Sequence, residues 1–257
     1  MRILWTRLLL ILLVAGAGFA LWSNRTALHR MGRDIFAAKD GPGTPAPDPE
    51  TYSVLSDDLE SHRQRLSDAY AAAGSDAERT AILRSARNLL EGALPRLMRC
   101  WLGTPWAYEG IAHEPGGGKV ACGYFVSSVL QDARFDVEWG RLAQQPSQNI
   151  LGTFLREDEL HIRVGTDYEL FLTELQSRGP GIYIVGLDSH VAFLVIPDSG
   201  EIRFIHSSGS RPWCVVDEDR ESADVLRRSR YRVTGNLTAN PNVIARWLMG
   251  EKFPTRT

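Results

Sequence analysis

The sequence predicts an α+β fold in which helices gather on one side of a small antiparallel sheet. Two patterns lead to this class. Apolar residues recur at helical spacing between residues 52 and 101, whereas residues 181–206 contain short runs of β-branched and aromatic residues separated by turn residues. Residues 51–257 fall within the usual size of one globular domain, so we expect a single domain there.

The chain begins with features of an export signal. Two arginines within the first seven residues precede an unbroken apolar run, Leu8–Trp22. Ala15-Gly16-Ala17 fits a small-residue cleavage site, yet the apolar run together with Ile3–Thr6 is long enough to span a bilayer. We therefore predict that residues 1–22 are a cleaved signal peptide or an uncleaved membrane anchor. The protein is expected to be exported and either membrane-anchored or periplasmic or extracellular.

A linker and a helical segment are expected to follow. Residues 23–50 include the Pro/Gly-rich stretch Asp40–Pro49, which is typical of a tether. Residues 51–101 are predicted to form two helices, because Gly74-Ser75-Asp76 interrupts their leucine pattern. These helices are expected to pack against the helix that begins near residue 122; a separate helical arm is the alternative.

Cys122 lies where the Gly-rich run Gly116–Gly118 gives way to an amphipathic helix. The apolar face of this helix consists of Phe125, Val126, Val129, Leu130 and Ala133. The N–H groups and the dipole of a helix N-terminus favour a negative charge, and the thiolate is the nucleophilic form of cysteine. Cys122 is therefore a candidate nucleophile. A buried cysteine with a purely structural role is the alternative.

Two histidines bracket a predicted hairpin. Strands are expected over residues 181–187, 190–196 and 201–206, with Asp188-Ser189 as the first turn. An odd loop centred on Asp198 would pair Val195 with Glu201 and place His190 opposite His206 on one face. A four-residue loop would put the histidines on opposite faces. The functional interpretation thus predicts an odd loop or a bulge, whereas the alternative gives each histidine a structural role.

Several motifs together resemble one enzyme family. They are Gly103-Thr104-Pro105-Trp106, the Gly-rich run, the Cys122 helix, Ser189-His190-Val191-Ala192 and Phe204-Ile205-His206-Ser207. In this order, over roughly residues 98–210, they resemble the NlpC-type papain-like cysteine peptidases. The resemblance implies a papain-like fold, Cys122 as nucleophile, His190 as its base and His206 as the residue that orients His190. It also implies peptidoglycan stem peptides of bacterial cell walls as substrates.

The motif differs from the usual family pattern around the thiol. Ala121 and Gly123 stand where the family has Asp and Ser, and Trp106 stands where it has Tyr. The backbone N–H of Cys122 is a candidate oxyanion donor. Tyr108 is a candidate for the second donor, unless its ring only packs beside Trp106. Trp106 and Tyr108 are thus the predicted pocket residues.

The sequence leaves three functions open. The first is a thiol-dependent hydrolase of an amide bond, and the second is an acyltransferase or deamidase on the same scaffold. The third is a catalytically inactive, membrane-tethered binding module. No Cys/His spacing indicates a zinc site and no phosphate-binding loop is present, so we expect neither metal nor cofactor. The net charge of −2 offers no general attraction to nucleic acid.

The remaining segments are predicted more briefly. We expect helices over Asn149–Leu155, Tyr168–Gln176, Ser222–Arg228 and Asn242–Met249, and strands over Trp213–Val216 and Tyr231–Thr234. Residues 159–163 alternate as a solvated edge. A cluster of arginines is expected to be solvated surface: Arg227, Arg228, Arg230 and Arg232. Cys100 and Cys214 are either joined in a disulfide or separate buried thiols.

Overall fold

The structure, a computed structural model, describes residues 45–257. The predicted signal peptide or anchor at residues 1–22 lies outside the described residues, as does the tether up to residue 44. Among residues 45–257 no helix is both long and apolar enough to span a bilayer.

The described residues form eight α-helices and eight β-strands. The helices are α1 Pro49–Ala72, α2 Asp76–Cys100, α3 Cys122–Asp132, α4 Trp139–Ala143, α5 Ser147–Phe154, α6 Tyr168–Ser177, α7 Asp224–Arg228 and α8 Pro241–Met249. The strands are β1 Asp136–Val137, β2 His161–Val164, β3 Gly181–Leu187, β4 Val191–Ile196, β5 Arg203–Ser207, β6 Val215–Asp219, β7 Tyr231–Asn236 and β8 Lys252–Phe253. The coarse α+β prediction is therefore confirmed.

Six strands form one antiparallel sheet in the order β2-β7-β3-β4-β5-β6. β1 and β8 form a separate, parallel pair. In the six-stranded sheet β2 lies at the edge, and its residues alternate between half-buried and exposed. This alternation agrees with the solvated edge predicted for residues 159–163.

Helices cover both faces of the sheet, so the expectation that they gather on one side is wrong. Ile182 and Ile184 of β3 belong to a core shared with α1, α2, α3, α5 and α8. Tyr183 and Val185 belong to a second core formed with α6 and Leu226 of α7. Every residue of β3 and β4 is consequently buried. This burial explains why these strands are apolar throughout rather than alternating.

The two N-terminal helices pack against α3 as predicted. Asp48 caps α1 by accepting from the backbone N–H of Thr51, and Pro49 occupies the first turn, so the helix begins before residue 51. Tyr52 donates its hydroxyl to Asp132 at the end of α3 over 2.8 Å. The ring of Trp101 meets Phe125 edge-to-face, with centroids 5.8 Å apart. α3 is thus held at both of its ends.

The segment 45–48 packs against the loop 101–121 that leads to α3. The backbone N–H of Asp48 donates to the carbonyl of Cys100 over 2.8 Å. Gly103 has a φ of +82° and approaches the carbonyl of Pro45 so closely that a Cβ there would lie 2.0 Å from its oxygen. Glycine meets both requirements, because it has no Cβ and tolerates positive φ.

α4 lies directly against the first turn of α3. Ser127 donates its hydroxyl to the carbonyl of Trp139 over 2.7 Å, and the Trp139 indole N–H donates to Ser128 over 2.8 Å. A Cβ on Gly123 would lie 2.1 Å from the Ala143 carbonyl oxygen. This contact explains why glycine follows the cysteine.

The structure also tests the predictions for the arginine cluster and for the cysteine pair Cys100 and Cys214. Arg232 was expected on a solvated surface, but it is 2% exposed. Its guanidinium donates to the Leu226 and Arg227 carbonyls at the end of α7 and lies over the Phe171 ring, 4.9 Å from the centroid. Arginine is favoured in this position because cations stabilise helix C-termini. Cys100 and Cys214 are both buried, and no disulfide links them.

We expect Gly123→Ala to destabilise the protein by about 1–3 kcal/mol, because the new methyl group would overlap the Ala143 carbonyl. The matched control is Gly140→Ala in α4, whose Cβ would meet nothing within 4 Å. This control is expected to be neutral or stabilising by about 0.5–1 kcal/mol, since alanine is the better helix former. Urea unfolding of both variants measures the difference, and equal effects would contradict the contact.

Candidate active site

Cys122 is the first residue of α3, as the sequence predicts. The helix is entered through Ala121, whose N–H donates to the Gly110 carbonyl over 2.9 Å and whose own carbonyl accepts from Phe125. No side chain caps this N-terminus. The backbone N–H groups of the first turn are therefore left for the thiol and for whatever binds beside it.

Burial raises the pKa of the Cys122 thiol above its ordinary value. Backbone N–H groups of Val191, Gly123 and Cys122 itself act in the opposite direction, but their effect is smaller. The prediction that this thiol ionises easily is therefore wrong for the free site. Removing the anion from water costs more than the helix N-terminus recovers.

His190 lies directly before β4, at the end of the Asp188-Ser189 turn. The Asp188 carboxylate holds this turn against the start of β7. It accepts from the backbone N–H groups of Arg230 at 2.8 Å and Tyr231 at 3.0 Å, and from the Ser229 hydroxyl at 2.9 Å. These bonds lower the pKa of Asp188 and fix the backbone that carries His190.

The structure brings the two histidines together. His190 Nε2 and His206 Nδ1 are 2.8 Å apart. β4 and β5 pair with Val195 opposite Arg203 and Phe193 opposite Ile205, which differs by two residues from the predicted pairing of Val195 with Glu201. An odd number of residues still separates the paired positions, so both histidines lie on the same face as predicted, but His190 is not directly opposite His206. His206 is fully buried.

Glu218 is a fourth member of the site that the sequence did not indicate. Its Oε2 lies 3.1 Å from His206 Nε2. The predicted strand ended at Val216, whereas β6 extends to Asp219 and pairs Val216 with His206. Residues 216–219 are all half-buried and show no alternation of apolar and polar residues, so the sequence had no local signal for Glu218. The acidic run Asp217–Asp219 instead resembles a solvated loop.

Burial dominates the protonation of this group of side chains. It lowers the pKa of His206 to about 3, and burial together with the neighbouring His206 lowers the pKa of His190 to about 3. Burial also raises the pKa of Glu218 to about 7, with Asp224 and Asp219 adding to the effect. Both imidazoles are consequently neutral at physiological pH, and Glu218 titrates near neutrality.

Two cavities meet at the thiol. Their shared walls are formed by Cys122, Gly123, Ala143, Ser189 and His190. One cavity has a volume of about 450 Å³ and is lined by polar side chains that include Gln148 and Asp188. The other has a volume of about 740 Å³ and contains Trp106, Tyr108 and Tyr124. Cys122 and His190 thus line the same cleft, although no hydrogen bond joins their side chains in the described part of the chain.

The two predicted pocket residues occupy different settings. Trp106 packs against Trp213, with ring centroids 5.5 Å apart, and a Cβ on Gly209 would lie 3.1 Å from its ring. Tyr108 lines the same cavity but is 84% exposed. It has neither a hydrogen bond nor a ring contact with Trp106 among residues 45–257. The alternative in which its ring packs on Trp106 is therefore wrong, and its role as oxyanion donor stays a prediction.

No protein-family model, curated protein or solved structure matches this chain. The resemblance to papain-like cysteine peptidases therefore depends on the motifs and on the side chains described above. Within residues 45–257, no group of three or more His, Cys, Asp or Glu side chains is arranged to hold a metal ion.

We predict that His190→Gln removes most of the acid sensitivity of folding between pH 6.5 and 4.5. The unfolded chain binds a proton on His190 below pH 6.5, but the folded chain does not until about pH 3, so stability falls as the pH falls. The slope is at most about 1.4 kcal/mol per pH unit for one proton. Between pH 6.5 and 4.5 His206 binds a proton in the unfolded chain, and Glu218 binds one in the folded chain. The pair therefore holds one proton in either state and does not contribute to the pH dependence of stability.

Urea unfolding at several pH values tests this expectation. The matched control is His62→Gln, because His62 is an exposed histidine on α1. It is expected to keep the wild-type slope. An unchanged slope in His190→Gln would show that His190 is not held neutral by the fold.

Proposed function

We propose that the protein is a cysteine-dependent hydrolase of amide bonds with a papain-like arrangement of its catalytic residues. Cys122 is the nucleophile, His190 its base and His206 the residue that orients the base. The observation that carries this proposal is the 2.8 Å bond between His190 Nε2 and His206 Nδ1 beside a cleft that Cys122 lines. This bond occupies Nε2, so Nδ1 is the nitrogen left to serve the thiol.

The proposed reaction proceeds in two stages. The Cys122 sulfur attacks the substrate carbonyl while His190 takes the thiol proton, and the resulting imidazolium gives that proton to the leaving amine as the C–N bond breaks. The product of this stage is a thioester and a free amine. Water then attacks the thioester with His190 again accepting a proton, which releases the carboxylic acid and regenerates the thiol.

The protonation states favour proton transfer during attack over a preformed ion pair. The Cys122 pKa is raised and the His190 pKa is lowered, so the resting site holds a thiol and a neutral imidazole. A neutral imidazole can accept the thiol proton as sulfur approaches the carbonyl. The imidazolium that forms has His206 and Glu218 behind it, through bonds of 2.8 and 3.1 Å.

The start of α3 is suited to stabilise the negative oxygen of the tetrahedral intermediate. Its N-terminus has no side-chain cap, and the N–H groups of Cys122 and Gly123 act on the thiol that would carry the intermediate. Donors that are already oriented lower the energy of developing charge without reorganisation. The Cys122 N–H is the first proposed donor, and Tyr108 is the candidate for the second.

An extended peptide is the substrate class that fits the cleft. Cavities of about 450 and 740 Å³ share the lining residues Cys122, Gly123 and His190, so a peptide could occupy both with its scissile bond at the thiol. Polar groups line one side and aromatic rings the other. We propose peptidoglycan stem peptides as the substrate, in keeping with the motif resemblance and with the export expected from residues 1–22.

We predict that Cys122→Ala abolishes cleavage of purified peptidoglycan fragments and that His190→Gln lowers the rate about 10²–10⁴-fold, the usual contribution of a general base. Mass spectrometry of the digests would identify the new amino and carboxyl ends. His62→Gln, the surface histidine variant, is the control and should retain the wild-type rate.

A second measurement does not require the substrate. Alkylation of Cys122 by iodoacetamide, followed on its tryptic peptide by mass spectrometry, should slow in His190→Gln because the neighbouring base is lost. Alkylation that is unchanged in His190→Gln, together with no cleavage, would contradict the hydrolase and favour the inactive binding module. Products formed with added amines instead of water would identify an acyltransferase.

A further inference from the structure

The register of β5 and β6 places Glu218 next to His206, on the side away from His190. His206 pairs with Val216 and Phe204 pairs with Glu218, so all four side chains share one sheet face. Residues diagonal to each other on antiparallel strands are close enough for long side chains to meet. The outcome is a continuous line of contacts from Glu218 through His206 to His190, with distances of 3.1 and 2.8 Å.

The charged residues that act on Glu218 are two aspartates. Asp219 follows it on β6, and Asp224 approaches from α7. Arg203 of the facing strand is bound instead to Asp217, which lies on the opposite sheet face and also binds Arg99. Among residues 45–257 no arginine pairs with the partly buried Glu218, and burial, Asp224 and Asp219 raise its pKa to about 7.

The protonation state of Glu218 determines whether each imidazole nitrogen in this line donates or accepts a hydrogen bond. A protonated Glu218 donates to His206 Nε2, so His206 carries its proton on Nδ1 and donates it to His190 Nε2. His190 then carries its proton on Nδ1, the nitrogen that the bond to His206 leaves to serve Cys122 in the proposed reaction. In this state His190 has no lone pair with which to accept the thiol proton.

An ionised Glu218 reverses every step. The carboxylate accepts from His206 Nε2–H, and His206 Nδ1 accepts from His190 Nε2–H. His190 Nδ1 then has a free lone pair with which it can accept the thiol proton. The conversion releases one proton to water from His190 Nδ1, while the His206 Nδ1 proton moves to His190 Nε2 and the Glu218 proton moves to His206 Nε2.

We propose that Glu218 is a positioning residue whose ionisation sets, through His206, which nitrogen of His190 carries the proton, and so whether His190 can act as a base. This inference rests on the proposed function, since it concerns the same base. It goes further by making the base available only when a residue two strands away is ionised.

Long-range ¹H–¹⁵N correlation spectra of the full-length chain test the proposal, because they distinguish the tautomers of each imidazole. As the pH rises through about 7, His190 and His206 should both change from the Nδ1–H to the Nε2–H form. In Glu218→Gln this change should be absent between pH 5 and 9. Tautomers that stay constant in the wild type, or that change equally in Glu218→Gln, would overturn the proposal.

A second variant keeps Glu218, so the proposal can still be tested if Glu218→Gln does not fold. Asp224→Asn removes an acidic neighbour, so the tautomer change should move to lower pH. Glu221→Gln removes the same charge from an exposed residue nearby and should leave the midpoint unchanged. Equal midpoints in Asp224→Asn and the wild type would count against Glu218 as the titrating group. The proposed function fails separately, if His190→Gln does not slow alkylation of Cys122.

Discussion

The register between β4 and β5 is the constraint on which the rest of the site depends. Phe193 pairs with Ile205, and this alignment places His190 and His206 on one face of the sheet. A shift of one residue would move His206 to the face covered by α3 and separate it from both His190 and Glu218. The Pro197–Gly200 turn, in which the Gly200 N–H donates to the Pro197 carbonyl, helps to set the alignment, and so does burial of Ile202.

Burial gives the site its chemical character. A histidine pair on the surface would be charged in mild acid, and an exposed thiol at a helix N-terminus would ionise readily. Here His206 is fully buried and His190 half-buried, so both imidazoles stay neutral and the thiol keeps its proton. Within residues 45–257, Glu218 is the one carboxyl group that hydrogen-bonds to either histidine of the site, through His206, so we expect its ionisation to determine how many protons these side chains carry.

Much of this arrangement could be predicted from local sequence. The helix at Cys122, the helices α1 and α2 and the strands β3, β4 and β7 all have strong periodicity or β-branched runs, and the structure places them within one or two residues of the predicted ranges. Local patterns could not show that Arg232 is buried, because that depends on α7 ending beside β7. Nor could they show Glu218, whose partner is twelve residues away on another strand.

The segment Pro45–Asp48 moves the start of the folded unit ahead of residue 51. These residues pack against the start of the loop 101–121. The Gly103 backbone approaches Pro45, and the Asp48 N–H donates to the Cys100 carbonyl. The same loop carries Trp106 to the cleft. The last prolines of the tether are therefore structural residues of the domain, and changes in them would be transmitted to the aromatic side of the cleft.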